Sequence, residues 1–127
     1  YRRVPVRIMG AQHEPVQPYL IAPMMEQLLI RYSESTEPII PRLARFHIEF
    51  EGIHPFIDGN GRTGRLLVNM ELMKAGLPPI DIKFTDRFAY YNAFDAFHGK
   101  HDLSVMEKLF AEYVNERLDM YLRILQD

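Results

Sequence analysis

Apolar residues recur at helical spacing over most of the chain, and this pattern predicts a protein built mainly from α-helices. The first periodic segment follows Pro23, which suits a first helical turn because its missing N–H needs no partner there. Its apolar positions are Met24, Met25, Leu28, Leu29 and Tyr32. Thr36 is the predicted cap of a second helix. That helix carries on one side Ile39, Ile40, Leu43, Phe46, His47 and Phe50.

Three further helices are predicted in the second half of the chain. Leu66 to Met73 is apolar nearly all round, which is typical of a helix enclosed by others, and Gly76 ends it. The next helix begins at residue 85 or 86 and runs through residue 97. The longest periodic segment, Leu103 to Leu125, follows Asp102.

The first ten residues show a different pattern. Val4, Val6 and Ile8 alternate with a proline and an arginine until Gly10 breaks the alternation, which predicts one short exposed strand or hairpin arm. The sequence therefore predicts an all-α domain with a small β element near its start.

Composition limits the classes of protein to consider. With 127 residues the chain fits a single domain, and a net charge of −2 gives no electrostatic reason to expect nucleic-acid or membrane binding. The absence of cysteine excludes disulfides and thiolate chemistry. Because no signal peptide is visible either, we expect a cytoplasmic protein. The chain begins at Tyr1 rather than Met, so we also expect it to be part of something longer.

The most specific segment is residues 54–65, HPFIDGNGRTGR, just ahead of the apolar run. If residues 59–61 lead directly into that helix, free N–H groups and the helix dipole form an anion site. Arg62 and Arg65 are three residues apart and therefore reach the same polyphosphate. Asp58 would repel phosphate unless a cation lay between them, and Mg²⁺ is the natural bridge. His54 is suited to accept a proton near neutral pH as a general base.

Two other nucleotide motifs share features with this segment. Residues 59–64 match G-x-G-x-x-G, and Asp81 lies at a suitable distance for a dinucleotide site. That site needs a buried strand before the first glycine, whereas residues 37–53 show helical periodicity. A P-loop requires lysine and then serine or threonine after its last glycine, where this chain has Arg65 and Leu66. We therefore favour neither motif.

A zinc site is a further interpretation of His54 and Asp58. Structural zinc usually takes four ligands and catalytic zinc three protein ligands. No spacing favours a set completed by the remaining histidines, which are His13, His47, His98 and His101. On the apolar face of its helix, His47 is instead expected to be structural.

Residues 54–65 resemble the signature of Fic-domain proteins, H-P-F-x-[DE]-G-N-G-R-x-x-R, with every fixed position matched. The stretch Val6 to Gly10, followed by His13, is similar to the family's flap. Residues 66–79, LLVNMELMKAGLPP, are similar to its helix after the motif. The resemblance implies a compact, single Fic domain over residues 1–127, all-α with a short β-hairpin flap near the N-terminus.

That resemblance also implies a reaction, the transfer of AMP from ATP to a Ser, Thr or Tyr hydroxyl of a target protein docked on the flap. His54 would deprotonate the attacking hydroxyl, and Asp58 would hold Mg²⁺ on the α- and β-phosphates. Residues 59–61 would form the anion hole, with Arg62 and Arg65 on the outer phosphates. The nucleotide-binding set implied is Arg7, Ile8, Met9, Gly10, Asp58, Gly59, Asn60, Gly61, Arg62, Thr63, Gly64, Arg65, Tyr90, Tyr91 and His98. The last three would line the adenine side.

Other activities within the family stay open at this point. Doc-like kinases transfer the γ-phosphate but carry lysine where Gly61 stands, so AMP transfer is favoured. Removal of AMP depends on an inhibitory glutamate in the motif [ST]-x-x-x-E-[GN], which residues 33–38 match only in their first five positions. We therefore expect any inhibitory helix, with a glutamate pairing with Arg65, on a missing segment or a partner chain. A non-catalytic nucleotide-binding module is disfavoured by the intact His54.

Overall fold

Five α-helices and one 3₁₀ turn form the protein in a computed structural model that describes residues 1–126, apart from the side chain of Phe84. The helices are α1 (Pro18–Glu34), α2 (Ile39–Ile53), α3 (Asn60–Lys74), α4 (Arg87–Lys100) and α5 (Ser104–Gln126), and the 3₁₀ turn is Phe84–Asp86. The all-α prediction is confirmed. None of the described helices combines the length and apolar character that a membrane crossing requires.

Helix α2 is the centre of the fold because it packs against each of the other four helices. One side of α2 meets α1 in a cluster that contains Ile21, Leu28, Phe46 and Phe50. Its other side meets α3, α4 and α5 in a larger cluster that includes Ile48, Leu72, Phe94, Met106 and Phe110. The end of α2 is therefore held rigidly by packing on both sides, and this end carries the motif histidine.

The predicted β-hairpin flap is not seen, since residues 1–126 contain no strand. Alternation alone does not make a strand without a second strand to pair with. The N-terminal segment instead satisfies its backbone locally, with Ala11 N–H donating to the Ile8 carbonyl at 3.3 Å. Gly10 then turns the chain with φ +84°, a left-handed conformation that ends the extended run. We keep the name flap for residues 6–10, which form an irregular loop and no hairpin.

Two predicted helix starts were wrong for a common reason, the placement of proline. Helix α1 begins at Pro18, five residues earlier than predicted, and Pro23 lies inside it. The carbonyl that Pro23 leaves without a donor belongs to Tyr19, which is exposed and can be solvated. Helix α2 begins after Pro38 rather than at the predicted cap, Thr36. Residues before a proline are disfavoured in the helical conformation, which excludes Glu37 from the helix.

The remaining helices agree with the pattern. Helix α3 begins at Asn60, so the glycine-rich loop does lead directly into it. Helix α4 follows the 3₁₀ turn at residues 84–86. Asp102 precedes α5, where its Oδ1 accepts hydrogen bonds from the Ser104 N–H at 3.0 Å and hydroxyl at 2.6 Å. A side chain that accepts from the N–H two residues on forms an Asx turn, and this turn leads the chain into α5.

Replacing Phe110 with alanine should lower the free energy of unfolding by about 3–5 kcal/mol, because the ring is fully buried in the larger cluster and its loss leaves a cavity. Chemical denaturation measures this change. The matched control is Phe88→Ala on α4, where the ring is 68% exposed and the expected loss is below about 1 kcal/mol. Equal losses in the two variants would contradict the packing described here.

Candidate functional site

A cavity of about 550 Å³ opens where the N-terminal loop, the end of α2, the start of α3 and α4 meet. Its size lies within the range of roughly 300–1,000 Å³ that is usual for small-molecule sites. The lining residues are Arg7, Ile8, Met9, His47, Glu51, His54, Gly61, Arg65, Asp81, Ile82, Lys83, Arg87, Tyr90, Tyr91 and Phe94. The structure therefore brings the motif histidine, one motif glycine and one motif arginine to the same cavity as the flap and the two tyrosines.

His54 ends α2 in a left-handed conformation, with φ 53° and ψ 63°. Its N–H donates to the Phe50 carbonyl at 3.0 Å, and its ring Nδ1 lies 3.3 Å from the Glu51 carbonyl oxygen. Because a carbonyl only accepts, Nδ1 carries the proton in this bond and Nε2 is the basic nitrogen. Burial lowers the pKa of His54 below its usual 6.5, so the ring is neutral at pH 7.

Arg2 holds the backbone around His54, a role for which the sequence gave no local signal. Its side chain is buried, and its guanidinium donates to the carbonyls of His54 at 2.6 Å and Ile53 at 3.1 Å. The same group donates to Val4 at 2.9 Å and Val16 at 2.6 Å. A cation at the C-terminal end of α2 is also favoured by the helix dipole. Arg2 therefore joins the N-terminal loop to the end of α2.

The loop between α2 and α3 is fixed by the side chain of Asn60. Its amide accepts from the Phe56 N–H at 2.9 Å and donates to the Phe56 carbonyl at 2.7 Å, which closes the loop on itself. Gly59 caps α3 with φ +82° and contributes no side chain to the helix start. The N–H groups of Asn60, Gly61 and Arg62 therefore have no acceptor within the helix, as an anion site requires.

The two motif arginines occupy different environments. Arg65 lines the cavity and lies over Gly61, where an added methyl group would be 2.9 Å from Arg65 Nη1. Arg62 instead pairs with Asp58 at 3.4 Å on the surface, and both side chains are largely exposed. Asp58 also accepts from the Gly59 N–H at 2.8 Å. Arg62 and Asp58 thus lie outside the cavity lining, at the exposed turn that enters α3.

The described residues contain no group of three or more acidic, histidine or cysteine side chains able to hold a metal by themselves. Asp58 fits a different kind of metal site, since Mg²⁺ is commonly bound through one or two carboxylates and completed by phosphates and water. Its carboxylate is 91% exposed, which leaves room for such a partner. A divalent cation at Asp58 therefore needs a bound polyphosphate to complete its ligands.

The flap covers α4 at the tyrosines. Gly10 lies so close to Tyr91 that an added methyl group would be 2.6 Å from the ring. Two residues after Gly10, the Gln12 N–H donates to Asp95 Oδ1 at 3.1 Å. Tyr90 and Tyr91 both line the cavity. The flap and α4 together therefore form one wall of it.

His98 packs behind the cavity wall, with its ring centroid 4.4 Å from that of the lining residue Phe94, whereas the sequence resemblance placed it with the two tyrosines. Its ring stacks on His13 with centroids 3.9 Å apart, and its Nε2 lies 3.0 Å from the Ile48 carbonyl oxygen. His98 is not among the cavity-lining residues. In this structure it joins the N-terminal loop to α2 and α4. Thr63 and Gly64 also lie outside the lining, with Gly64 packed against α2.

Two cavity residues on α2 were missed as functional residues, although a signal for them exists. His47, Glu51 and His54 follow at intervals of four and three residues, which places them on one face of the helix. Both His47 Nδ1 and Glu51 Oε1 are buried without a hydrogen-bond partner. Burial raises the pKa of Glu51 to about 7 and lowers that of His47 to about 3. His47 is therefore neutral, and Glu51 titrates near physiological pH.

The charges around the cavity favour an anionic ligand. Four cationic side chains line it, which are Arg7, Arg65, Lys83 and Arg87, against the carboxyls of Glu51 and Asp81. Lys83 also makes an ion pair with Glu116 at 2.7 Å, outside the cavity lining. The fixed positive end of α3 adds to this excess. A polyphosphate satisfies both the amides and the cations.

A model of the Fic/DOC family matches residues 1–72, more than half of the chain. The chain belongs to the Fic/DOC family. Among curated relatives, the protein adenylyltransferase Fic of Drosophila willistoni is 37% identical over 131 aligned residues, which cover 100% of this chain. The protein of the same name from Nematostella vectensis is 38% identical over 121 residues and 91% of this chain. The family resemblance drawn from the motif is confirmed.

Solved structures of Fic proteins share the fold. A fragment of Fic-1 from C. elegans superposes with a TM-score of 0.79 at 28% identity, covering 88% of this chain and 34% of its own. A Fic family protein from Desulfovibrio desulfuricans superposes with a TM-score of 0.75 at 28% identity, covering 94% of this chain and 41% of its own. The chain spans about a quarter of the length of the curated relatives, 26% and 28% for the two proteins above.

Replacing Arg2 with glutamine should destabilise this Fic domain by about 2–4 kcal/mol, because buried carbonyls lose charged hydrogen-bond donors. It should also raise the pKa of His54 toward 6.5, since the positive charge of Arg2 contributes to lowering it. Denaturation and NMR titration of the His54 ring measure the two effects. Arg3→Gln is the matched control at an exposed position. If the free energy of unfolding and the pKa of His54 were both unchanged in the Arg2 variant, Arg2 would not be needed to hold the backbone around His54.

Proposed function

We propose that this chain is the catalytic domain of a protein adenylyltransferase, which transfers AMP from ATP to a hydroxyl of a target protein. The observation that carries the proposal is the placement of His54 in one cavity with the start of α3 and Arg65. Its Nε2 is the basic nitrogen of a neutral ring, as a general base requires. The relatives from Drosophila willistoni and Nematostella vectensis are protein adenylyltransferases by name, which supports the same activity.

The proposed reaction is an in-line displacement at the α-phosphorus. A target hydroxyl oxygen forms the new bond to phosphorus while the bond to the oxygen bridging the α- and β-phosphates breaks, and pyrophosphate leaves. The hydroxyl proton passes to His54 Nε2. Amides at the start of α3 stabilise charge on the phosphate oxygens, and such preorganised donors usually contribute the largest share of the rate in phosphoryl transfer.

The phosphate chain is proposed to lie over the start of α3. The N–H groups of Asn60, Gly61 and Arg62 at the start of α3 would bind it, and Arg65, which lies over Gly61, would reach the outer phosphates. Arg62 would join them by leaving its exposed pair with Asp58, a weak interaction at a solvent-accessible site. Asp58 would then hold Mg²⁺, which neutralises phosphate charge when bound. Arg62, Arg65 and Asp58 are thereby each assigned a role at the phosphate chain.

The adenine side of the site is assigned to Tyr90 and Tyr91, which line the cavity beneath the flap. We do not extend the assignment to His98, because it is not among the cavity-lining residues and its ring is stacked on His13. The rim of the flap is proposed to dock the target protein, since Met9 is 85% exposed beside the cavity. An inhibitory helix from another segment or chain, and a cytoplasmic location, stay predictions of the sequence.

His54→Asn should reduce AMP transfer by roughly 10²–10⁴-fold, the usual contribution of a general base. The chain offers a matched control in His101→Asn, because His101 also ends a helix in the left-handed conformation, with φ 56°. Asparagine tolerates that conformation in both variants. ATP labelled separately at the α- and γ-phosphates is incubated with the protein and a cell lysate, and the label retained on protein is counted.

Label from the α-phosphate, lost in the His54 variant and kept in the His101 variant, is the expected result. Retention of the γ label instead would indicate a kinase and overturn the proposed reaction. Equal transfer by the two variants would exclude His54 as the base.

Asp58→Asn should abolish the dependence of transfer on Mg²⁺ and bring the rate of the variant close to that of the wild type in a chelator. The expected reason is that a neutral amide is a much weaker ligand for Mg²⁺ than a carboxylate. Initial rates are measured against Mg²⁺ concentration, with Asp119→Asn on the exposed side of α5 as the control. Unchanged wild-type activity in the chelator would refute the metal role.

A further inference from the structure

The proposed reaction has no use for the carboxyl of Glu51, which lies in the cavity wall. Its residue is only 7% exposed, and Oε1 has no hydrogen-bond partner. An unpartnered carboxylate in such a position is costly, so a residue with a purely structural role would be expected to be apolar. Glu51 therefore needs an explanation in terms of what enters the cavity.

The surroundings of Glu51 come from three helices. On α2, His47 turns its unpartnered Nδ1 toward the same point near Gly64 as Glu51 Oε1. A methyl group on Gly64 would lie 2.5 Å from Oε1 and 3.4 Å from Nδ1. On α4, the Tyr90 hydroxyl lies 2.8 Å from His47 Nε2. On α3, Arg65 is the cation whose charge acts on Glu51, His47 and Tyr90 alike.

Arg65 can therefore interact with two anionic groups, the carboxyl of Glu51 and the outer phosphates of a bound nucleotide. Arg65 and Glu51 line the same cavity, where the charge of Arg65 favours the ionised form of the carboxyl. The side chain of Arg65 also extends over Gly61, where the outer phosphates are proposed to lie. The other charged or titratable groups that line the cavity are His54, Arg7, Asp81, Lys83, Arg87 and Tyr91. Bound polyphosphate would add several negative charges close to Glu51 and draw Arg65 away from it. Both effects disfavour the ionised form of the carboxyl.

We propose that Glu51 is a positioning residue of the phosphate pocket, which competes with the outer phosphates for Arg65 when ionised and admits them when it carries a proton. This inference rests on the proposed nucleotide site. Glu51 lies on α2 itself, outside any inhibitory-helix motif. Binding of the nucleotide then takes up one proton from solvent, and this proton ends on the Glu51 carboxyl.

The direction of the pH dependence follows from the free protein. Burial raises the pKa of Glu51 to about 7, with Arg65 acting in the opposite direction. Below that pH the carboxyl is neutral and nucleotide affinity is independent of Glu51. Above it the proton must be acquired on binding, so affinity falls by up to roughly tenfold per pH unit. AMP lacks the outer phosphates and should show a much smaller dependence.

The experiment measures binding without chemistry, by isothermal titration calorimetry with an ATP analogue whose α,β-bridging oxygen is replaced by methylene. Titrations at about pH 6 and about pH 8.5, in buffers of different ionisation enthalpy, give affinity and proton uptake together. The variants are Glu51→Gln and, as a second neutral replacement, Glu51→Met. Glu49→Gln on the same helix is the matched control, because Glu49 pairs with Arg31 at 3.5 Å and does not line the cavity.

The wild type and the Glu49 variant should bind the analogue at least tenfold more weakly at about pH 8.5 than the neutral Glu51 variants do. At about pH 8.5 they should also take up close to one proton more on binding than the neutral Glu51 variants do. At about pH 6 all four proteins should bind the analogue with similar affinity. Equal affinities and proton uptake at both pH values would overturn the proposal. So would loss of binding at both pH values in a folded neutral variant. If neither variant folds, a pH-independent affinity of the wild type overturns it equally well.

This outcome is separable from that of the proposed function. Proton-linked binding without AMP transfer to any protein would support the role of Glu51 and refute the reaction. Transfer of AMP by a protein whose nucleotide binding is not linked to proton uptake would support the reaction and refute the role of Glu51.

Discussion

The left-handed turn at His54 is the constraint on which the site depends. It ends α2, and it allows the ring of His54 to contact the Glu51 carbonyl. A non-glycine residue in this conformation is disfavoured and persists only where its surroundings hold it. Arg2 provides that support, since its guanidinium donates to the carbonyls on either side of the turn and to the N-terminal loop. One buried cation thus holds the backbone of His54 and anchors the N-terminal loop.

Local patterns in the sequence predicted the structural features that depend on residues close together in the chain. The helical periodicity located the five helices, and the glycine-rich loop correctly predicted an amide-lined start for α3. The starts of α1 and α2 were misplaced because proline is compatible with several positions near a helix terminus. The predicted strand failed because pairing requires a second strand, which alternation in one segment does not supply. These errors concern boundaries and partners, while the type of fold was predicted correctly.

Long-range contacts account for what the sequence left out of the site. Arg2 is 52 residues from His54, and nothing in its local sequence indicates that it is buried. Conversely, His98 was assigned to the nucleotide by position, but its stacking on His13 depends on the path of the N-terminal loop. Glu51 and His47 did have a signal in their helical spacing from His54. That signal was interpreted as core packing for His47, and burial alone is consistent with that interpretation.

Each of the three glycines of the motif is suited to its position for a different physical reason, and together they connect the fold to the site. Gly59 adopts φ +82° at the cap of α3, a conformation that other residues rarely take. Gly61 leaves the space over which Arg65 extends, and Gly64 leaves the space in which Glu51 and His47 approach α3. A side chain at Gly61 would displace the cation, whereas one at Gly64 would displace the acid. Because Arg65 acts on Glu51, each change would alter the balance between the same two groups. The spacing of the motif therefore places the cation of Arg65 and the buried carboxyl of Glu51 against the same helix.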